Sequence, residues 1–171
     1  MAKKTGSKPP TRRVRRDSEP IDARRHGYRA GTVMEIPLKD GTFAYGVALG
    51  GSFVRYHDRA WAEPMDDIDT VLATPVLVVL SGATEAIREK RWRKLGETTL
   101  RPEERRIPDV YIRSSLPPHE YTILGEDGMP RPATAEECEG LEPAEVYRPE
   151  HVEERLNEHF AKTKSRRRPA N

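Results

Sequence analysis

The pattern of apolar and polar residues predicts a three-stranded antiparallel meander at the start of the fold. Apolar residues alternate with other residues over 34–38, as in a half-buried strand. Asp40-Gly41 then predicts a tight hairpin turn, because Gly tolerates a positive φ. In the second strand, 43–49, one face carries Phe, Tyr, Val and Leu and the other only Ala and Gly. We expect another element to pack closely over that smooth face. Gly50-Gly51 predicts a second turn before a third strand over 52–57.

Shorter elements are predicted along the middle of the chain. Residues 76–80 are apolar on both faces, which favours a central strand. Asp66, Asp67 and Asp69 open a short helix or turn, where their charges suit the positive end of the helix dipole. The remaining predictions are a short helix at 84–90, strands at 91–95, 110–113 and 121–124, and an edge strand at 129–132, whose two prolines remove backbone donors.

The C-terminal part of the domain is predicted to be helical. Thr134 and Glu137 match a capping box. A helix over 149–162 places Val152, Leu156 and Phe160 on one apolar stripe. Together the elements predict an α+β fold. Its mostly antiparallel β-sheet begins with a three-stranded meander, and short helices and a C-terminal helix pack against the sheet.

Charge is distributed unevenly along the 171 residues, although the net formal charge is only +2. Residues 1–29 hold ten Lys or Arg and three Asp or Glu, and residues 162–171 hold five basic residues and no acidic one. The segment 30–161 holds 15 basic and 25 acidic residues, a net formal charge of −10. We therefore expect a disordered basic arm at 1–29, a single domain at 30–161 and a disordered basic tail at 162–171.

The composition argues against the membrane and secreted classes of protein. The longest apolar run, 76–80, is far shorter than the ~20 residues of a membrane-spanning helix. No apolar segment follows the basic N-terminal residues, as a secretory signal requires. A single cysteine, Cys138, excludes an intramolecular disulfide and a multi-cysteine zinc site. These features favour a cytoplasmic protein.

The sequence predicts no catalytic residue, no metal site and no cofactor. It has no phosphate-binding glycine loop. His57 and Asp58 are adjacent in a predicted strand, so their side chains point to opposite faces. His151 and His159 lie about two helical turns apart, too far to share one ion without further ligands. Convergence of the five histidines with carboxylates in the folded chain is left open by this spacing.

Two acidic clusters and one tryptophan are the candidates for binding a protein partner. A charge run is usually a solvated face, but an acidic surface also suits a basic partner, whose encounter it accelerates. A tryptophan flanked by charged residues fits either a core anchor or a binding hot spot. The candidates are Asp66, Asp67, Asp69, Trp61, Glu136, Glu137 and Glu139.

The basic arm offers a second kind of partner. Its Arg12, Arg13, Arg15 and Arg16 are suited to contacts with nucleic-acid phosphates. No aromatic residues interleave with these arginines to stack on bases, so a solubilising tail is the alternative interpretation. Any nucleic-acid binding through the tails is expected to be weak.

Several short motifs of the domain follow a familiar pattern. The opening carries Gly31-Thr32-Val33, Ile36-Pro37-Leu38, Asp40-Gly41 and Ala44-Tyr45-Gly46, and Arg91-Trp92 leads to Gly96 further on. The ending is the most specific part, with Arg131-Pro132-Ala133-Thr134, Glu137-Cys138, Gly140-Leu141-Glu142, Pro149-Glu150-His151-Val152-Glu153, Arg155-Leu156 and His159-Phe160. Over roughly residues 28–161 the chain resembles the immunity protein 26 family, and the basic ends have no counterpart in it.

The resemblance implies a cytoplasmic bacterial protein that binds and neutralises a toxin domain of a polymorphic toxin system. Many such toxins are basic nucleases, so an acidic inhibitor is electrostatically complementary to them. Some similar proteins are described as phosphotriesterases, which makes a metal-assisted organophosphate hydrolase the enzyme alternative. A nucleic-acid-binding protein that uses its basic arms is the second alternative.

Overall fold

The computed structural model describes residues 28–167, apart from residues 84 and 127, with side chains as far as residue 164. Within these residues the chain forms strands, two α-helices and two 3-10 turns. The strands are β1 (Thr32–Pro37), β2 (Phe43–Gly50), β3 (Phe53–His57), β4 (Val76–Gly82), β5 (Arg93–Glu97), β6 (Val110–Arg113), β7 (Tyr121–Leu124), β8 (Pro130–Ala133), β9 (Glu142–Pro143) and β10 (Val146–Tyr147). The helices are α1 (Ile68–Leu72) and α2 (Pro149–Arg167), and the 3-10 turns are Pro102–Arg105 and Glu136–Cys138.

The strands form two sheets, and the predicted meander begins the larger one. The six-stranded sheet has the order β10-β4-β3-β2-β1-β5, and the four-stranded sheet has the order β8-β7-β6-β9. Neighbouring strands are antiparallel except for the short strands β10 and β9, which pair in parallel with β4 and β6. The predicted α+β fold with a mostly antiparallel sheet is therefore confirmed.

The predicted smooth face of β2 lies under α2. Val152, Leu156 and Phe160, the apolar stripe of α2, are buried in one hydrophobic cluster with Ala44 and Ala48 of β2. Small side chains on this face of the strand leave room for the larger side chains of the cluster beneath the helix. The expectation that another element packs over this face is confirmed.

A glycine in the middle of β2 makes room for the aromatic residues of the same cluster. A Cβ atom at Gly46 would lie 3.0 Å from Cγ1 of Val54 and 3.2 Å from the ring of Tyr56. The Tyr56 ring also meets Trp92 edge-on, with 6.2 Å between the ring centroids. Any larger residue at position 46 would displace these packed side chains.

Polar contacts hold α2 in position over the sheet. Glu153 of α2 accepts hydrogen bonds from Nε1 of Trp92 at 2.8 Å and from Nε of Arg91 at 2.6 Å. Oδ1 of Asn157 accepts a hydrogen bond from the backbone N–H of Lys39, in the turn between β1 and β2, at 2.9 Å. These contacts tie the helix to two separate loops of the sheet, so its register against the sheet is specified.

The opposite face of the six-stranded sheet is covered by α1 and the segment that leads to it. Tyr45 and Val47 of β2 are buried there in a second hydrophobic cluster, together with Trp61 and with Val71 of α1. Because both faces are covered, the sheet is the middle of three layers.

The apolar strand predicted to be central lies next to the sheet edge. β10 pairs with β4 only at Ser81 and Gly82, and Val76 at the start of β4 is 49% exposed. The apolar run has a different cause, because Leu80 packs in the cluster under α2 and Val79 packs in the cluster under α1. When both faces of a strand are covered, its residues are apolar on both sides. This pattern does not show whether the strand lies in the middle of the sheet or near its edge.

Two helix predictions also differ from the structure. Residues 85–90 form turns in place of the helix predicted at 84–90, and Ala83 and Lys90 have φ of 55° and 58°. A right-handed helix cannot include such left-handed residues. α2 continues to Arg167, past its predicted end at 162, so the first part of the predicted basic tail is helical.

Replacement of Leu156 should test the packing of α2. Leu156 is 1% exposed, so Leu156→Ala should lower the free energy of unfolding by about 3 kcal/mol, the usual cost of a large-to-small change in a core. Urea unfolding of the full chain measures this difference. Glu154→Ala, an exposed change on the same helix, should shift it by less than about 0.5 kcal/mol. Equal effects of the two substitutions would show that α2 is not packed as described.

Candidate functional site

The acidic candidates form two clusters that contact different sheets. Asp66 forms an ion pair with Arg93 of β5, at 3.2 Å between Oδ1 and Nη2. Glu137 forms one with Arg131 of β8, at 3.3 Å between Oε1 and Nη1. β5 and β8 are edge strands of the six-stranded and the four-stranded sheet. Within the described part of the chain, no hydrogen bond or ion pair joins the two clusters, so they are separate surfaces.

The first cluster, at the start of α1, contains one structural carboxylate. Asp67 is the N-cap of α1, and its Oδ1 accepts a hydrogen bond from the backbone N–H of Asp69 at 3.0 Å. Its Oδ2 accepts one from the hydroxyl of Thr70 at 2.6 Å. The Thr70 hydrogen bonds, followed by that of the Asp69 amide, lower the pKa of Asp67. Asp67 is therefore a cap as well as a surface charge, whereas Asp69 and Asp66 are exposed and carry no capping role.

The second cluster has the same arrangement. Oε2 of Glu137 accepts a hydrogen bond from the backbone N–H of Thr134 at 2.8 Å, and Oγ1 of Thr134 accepts one from the N–H of Glu137 at 3.2 Å. The predicted capping box is therefore confirmed, although it begins a 3-10 turn and not a longer helix. The hydrogen bond from Thr134 and the nearby Arg131 lower the pKa of Glu137. Glu136 and Glu139 are exposed and flank this structural carboxylate.

A buried carboxylate in β1 is linked to the first cluster through Arg93. Glu35 of β1 is 5% exposed and receives two hydrogen bonds from Arg93, at 2.9 Å from Nε and 2.8 Å from Nη2. Tyr45 donates a third from its hydroxyl at 2.7 Å. Because Nη2 of Arg93 also contacts Asp66, one guanidinium links the buried charge to the surface charge. Both oxygens of Glu35 are thereby satisfied, as a buried carboxylate requires.

The sequence pattern did not reveal this buried carboxylate. The alternation of apolar residues in β1 does not indicate that the intervening Glu35 is buried or which residue pairs with it. The pairing of β1 with β5 places Arg93 directly opposite Glu35, so the charge is buried with a partner. The available signal was the arginine-rich segment around Trp92, but its pairing with β1 is not encoded locally.

Tyr45 connects the buried carboxylate to the segment that precedes α1. Its hydroxyl accepts a hydrogen bond from the backbone N–H of Met65 at 2.5 Å while donating to Glu35. Burial, and then the hydrogen bond to Glu35, raise the pKa of Tyr45 well above its usual value. The phenol therefore stays protonated and holds the chain just before Asp66, which positions the exposed acids of the cluster.

Trp61 lies in the core beneath the same segment. It is 6% exposed and meets Tyr45 edge-on, with 5.0 Å between the ring centroids. The guanidinium carbon of Arg59 lies 5.0 Å from the centroid of the Trp61 ring, a cation–π contact. Little of the indole is therefore accessible to a partner, and its main contacts are with the second hydrophobic cluster.

The histidines do not assemble into a common site in the described residues. His57 is 1% exposed and contacts the backbone oxygen of Thr74 through Nδ1 at 3.0 Å. His159 of α2 contacts Oδ1 of Asp58 through Nε2 at 2.6 Å. The described part of the chain contains no group of three or more His, Cys, Asp or Glu residues able to hold a metal ion. Arg12, Arg13, Arg15 and Arg16 lie outside the described residues.

Comparisons with known proteins gave one match. A family model described as Immunity protein 26 matches residues 29–121, which include β1 to β6 and the first residue of β7. No curated protein and no solved structure matches the chain. The cluster at Asp66 lies inside the matched range, and Glu136, Glu137 and Glu139 lie outside it. None of the helices in the described residues is both long and apolar enough to cross a membrane.

The burial of His57 should make stability depend on pH. Burial lowers the pKa of His57 below its ordinary 6.5, and Nε2 has no hydrogen-bond partner among the described residues. Below pH 6.5 the unfolded chain therefore takes up a proton before the folded chain does. The free energy of unfolding should fall as the pH drops from 6.5 toward 5, by at most about 1.4 kcal/mol per pH unit for this group.

The variant His57→Asn isolates this contribution, since its side-chain amide can still donate to Thr74. Urea unfolding between pH 5 and pH 7 should show a shallower decline for the variant than for the wild-type chain. A decline of equal steepness in both proteins would assign the effect to other groups.

Proposed function

The chain belongs to the immunity protein 26 family, and on this premise we propose that it binds a cognate bacterial toxin domain and neutralises it in the cytoplasm. The observation that carries the proposal is the family match over residues 29–121, which spans most of the six-stranded sheet and the cluster at the start of α1. The partner in this role is a protein domain, and the protein acts by binding it.

The charge of the domain supports a basic toxin as the partner. Residues 30–161 carry a net formal charge of −10. An acidic domain attracts a basic protein over a range of about 10 Å at moderate ionic strength, which raises the association rate. Basic nucleases have the required charge, because they must contact the phosphates of their own substrates.

Asp66 and Asp69 are the first choice for the toxin-facing surface. Both are exposed, and both lie within the matched range, unlike the second cluster. The polar contacts between Arg93, Glu35 and Tyr45 fix the backbone beside them. A preorganised charged surface binds with a smaller loss of conformational entropy than a mobile one.

The hydrolase and nucleic-acid alternatives have less support. A metal-assisted phosphotriesterase needs several ligands around one or two ions, and the described residues offer no such group. Nucleic-acid binding through the arm at 1–29 stays a prediction. It would require an affinity that falls steeply with salt and is lost when the arm is deleted.

Protection of a growing cell tests the proposal. A candidate toxin is chosen among C-terminal domains of secreted proteins encoded near this gene, as one whose expression arrests growth of a bacterial host. Co-expression of the full chain should restore growth, because the complex sequesters the toxin. An unrelated toxin domain serves as the control and should still arrest growth. Continued arrest by the neighbouring domain, with the full chain present and folded, would contradict the proposal.

Charge reversal tests the surface. Asp66→Lys combined with Asp69→Lys should slow association with that toxin domain by about tenfold at low ionic strength. Asp67 is left in place because it caps α1. The matched control, Glu136→Lys with Glu139→Lys, makes the same change in net charge and leaves the structural Glu137 intact. Stopped-flow fluorescence measures both rates, and equal rates for the two variants would remove the first cluster from the interface.

A further inference from the structure

In the described residues, the outer edge of β4 pairs with no strand over most of its length. β3 pairs with β4 along Val76–Gly82, but on the other side β10 pairs only with Ser81 and Gly82. Among the described residues, no strand lies beside 76–80 on that side. Five consecutive apolar residues therefore form an edge with a strand on one side only.

The alternation of backbone groups shows which hydrogen-bonding groups face outward. The N–H of Gly82 donates to the oxygen of Ser52, beside β3, whereas the N–H of Ala83 donates to the oxygen of Tyr147 in β10. Successive residues of a strand alternate in this direction. Val79 therefore points its N–H and C=O away from β3. The alternation does not extend to Leu77, because a bulge there places an extra β4 residue opposite β3.

The other sheet edges in the described residues carry protection that β4 lacks. β5 presents Arg93, Lys94 and Glu97, β8 contains Pro130 and Pro132, and β9 is a two-residue strand that ends in Pro143. Charged residues, prolines and very short strands are the usual means of preventing an edge from pairing with another chain. The edge at 76–80 has neither charge nor proline, and its sequence Val-Leu-Val-Val-Leu has a high strand propensity.

A second copy of this chain does not fit the edge. In an antiparallel pair centred on Val78, residue 75 of the second copy would lie beside Ser81 of the first. Val146 of β10 already occupies that position. The backbone at Pro75 cannot bend away from β10, because the Pro75 oxygen accepts a hydrogen bond from the N–H of Asp58 at 2.8 Å. This bond keeps Pro75 in line with β4.

The N-terminal arm is also a poor occupant. Residues 1–27 include three prolines, and their large apolar residues are Met1, Val14 and Ile21. A strand that pairs with an apolar edge needs backbone donors and apolar side chains at alternate positions. A strand from another protein meets both requirements, and a basic one is attracted by the net charge of −10 on residues 30–161.

We propose that the outer edge of β4 binds an extended strand of the toxin domain, which adds a seventh strand to the six-stranded sheet. The proposal rests on the proposed function and names where the partner docks. The strand exchanges backbone hydrogen bonds with Val79 and ends or turns away opposite Leu80, where β10 begins. This is recognition by strand addition, in which the backbone supplies affinity and the side chains supply specificity.

Amide hydrogen exchange measures directly whether the backbone N–H groups along the β4 edge are hydrogen-bonded. In the free chain the amide of Val79 should exchange faster than those of Val78 and Leu80, which face β3. In the complex with the toxin domain chosen by the growth assay, exchange at Val79 should slow at least tenfold. Slow exchange of Val79 in the free chain, or no slowing in the complex, would overturn the proposal.

A matched pair of substitutions provides the second measurement. Val76→Lys places a charge at the edge, and Ile112→Lys makes the same change in the four-stranded sheet. The wild-type residues are 49% and 46% exposed, so neither substitution disturbs a core. Val76→Lys should weaken binding of the neighbouring toxin domain at least tenfold by calorimetry, and Ile112→Lys by less than twofold.

The outcomes separate this proposal from the one on which it rests. If the wild-type chain binds the toxin domain and both lysine variants bind equally well, the edge is not the docking site and the proposed function stands. If the wild-type chain shows no binding to that domain, both proposals are overturned. Selective loss of binding in Val76→Lys, with slowed exchange at Val79, supports both.

Discussion

The structure depends on covering both faces of one six-stranded sheet. β2 alone contributes Ala44 and Ala48 to the cluster beneath α2 and Tyr45 and Val47 to the cluster beneath α1. Neither cover is joined to the sheet by apolar packing alone. α2 is tied by Glu153 to the loop before β5, and the segment before α1 is tied through Tyr45 to the buried Glu35. Removal of either layer would expose side chains that a sheet of this composition cannot leave in water.

Local patterns predicted the elements whose burial is periodic. The alternation in β1 and β2, the small residues facing α2 and the stripe on α2 each follow from a single repeating contact. Local patterns did not predict the position or burial of residues whose contacts are distant in the sequence. β4 was predicted to be central because its residues are apolar on both sides. The two clusters do cover both of its faces, but β4 lies next to the sheet edge and pairs with β10 only at Ser81 and Gly82. The burial of Glu35 was not predicted, because it depends on Arg93, which is 58 residues away in the sequence.

The candidate site was also predicted only in part from the sequence. The exposure of the acidic residues and the capping box at Thr134 followed from the sequence, whereas the burial of Trp61 did not. In each acidic cluster one carboxylate, Asp67 or Glu137, has a structural role that holds its neighbours in place. The first cluster and the edge of β4 both lie within the family-matched residues. The two proposals are compatible, since charge accelerates the encounter with a basic protein and strand addition acts at short range.

The central proposal is that this member of the immunity protein 26 family binds and neutralises a cognate toxin domain. The most direct measurement combines the purified full chain with that domain and follows both complex formation and toxin activity at increasing ratios of chain to toxin. A stoichiometric complex should form, and toxin activity should fall in proportion to the complex formed. Full toxin activity in the presence of excess folded chain, with no complex detected, would contradict the proposal.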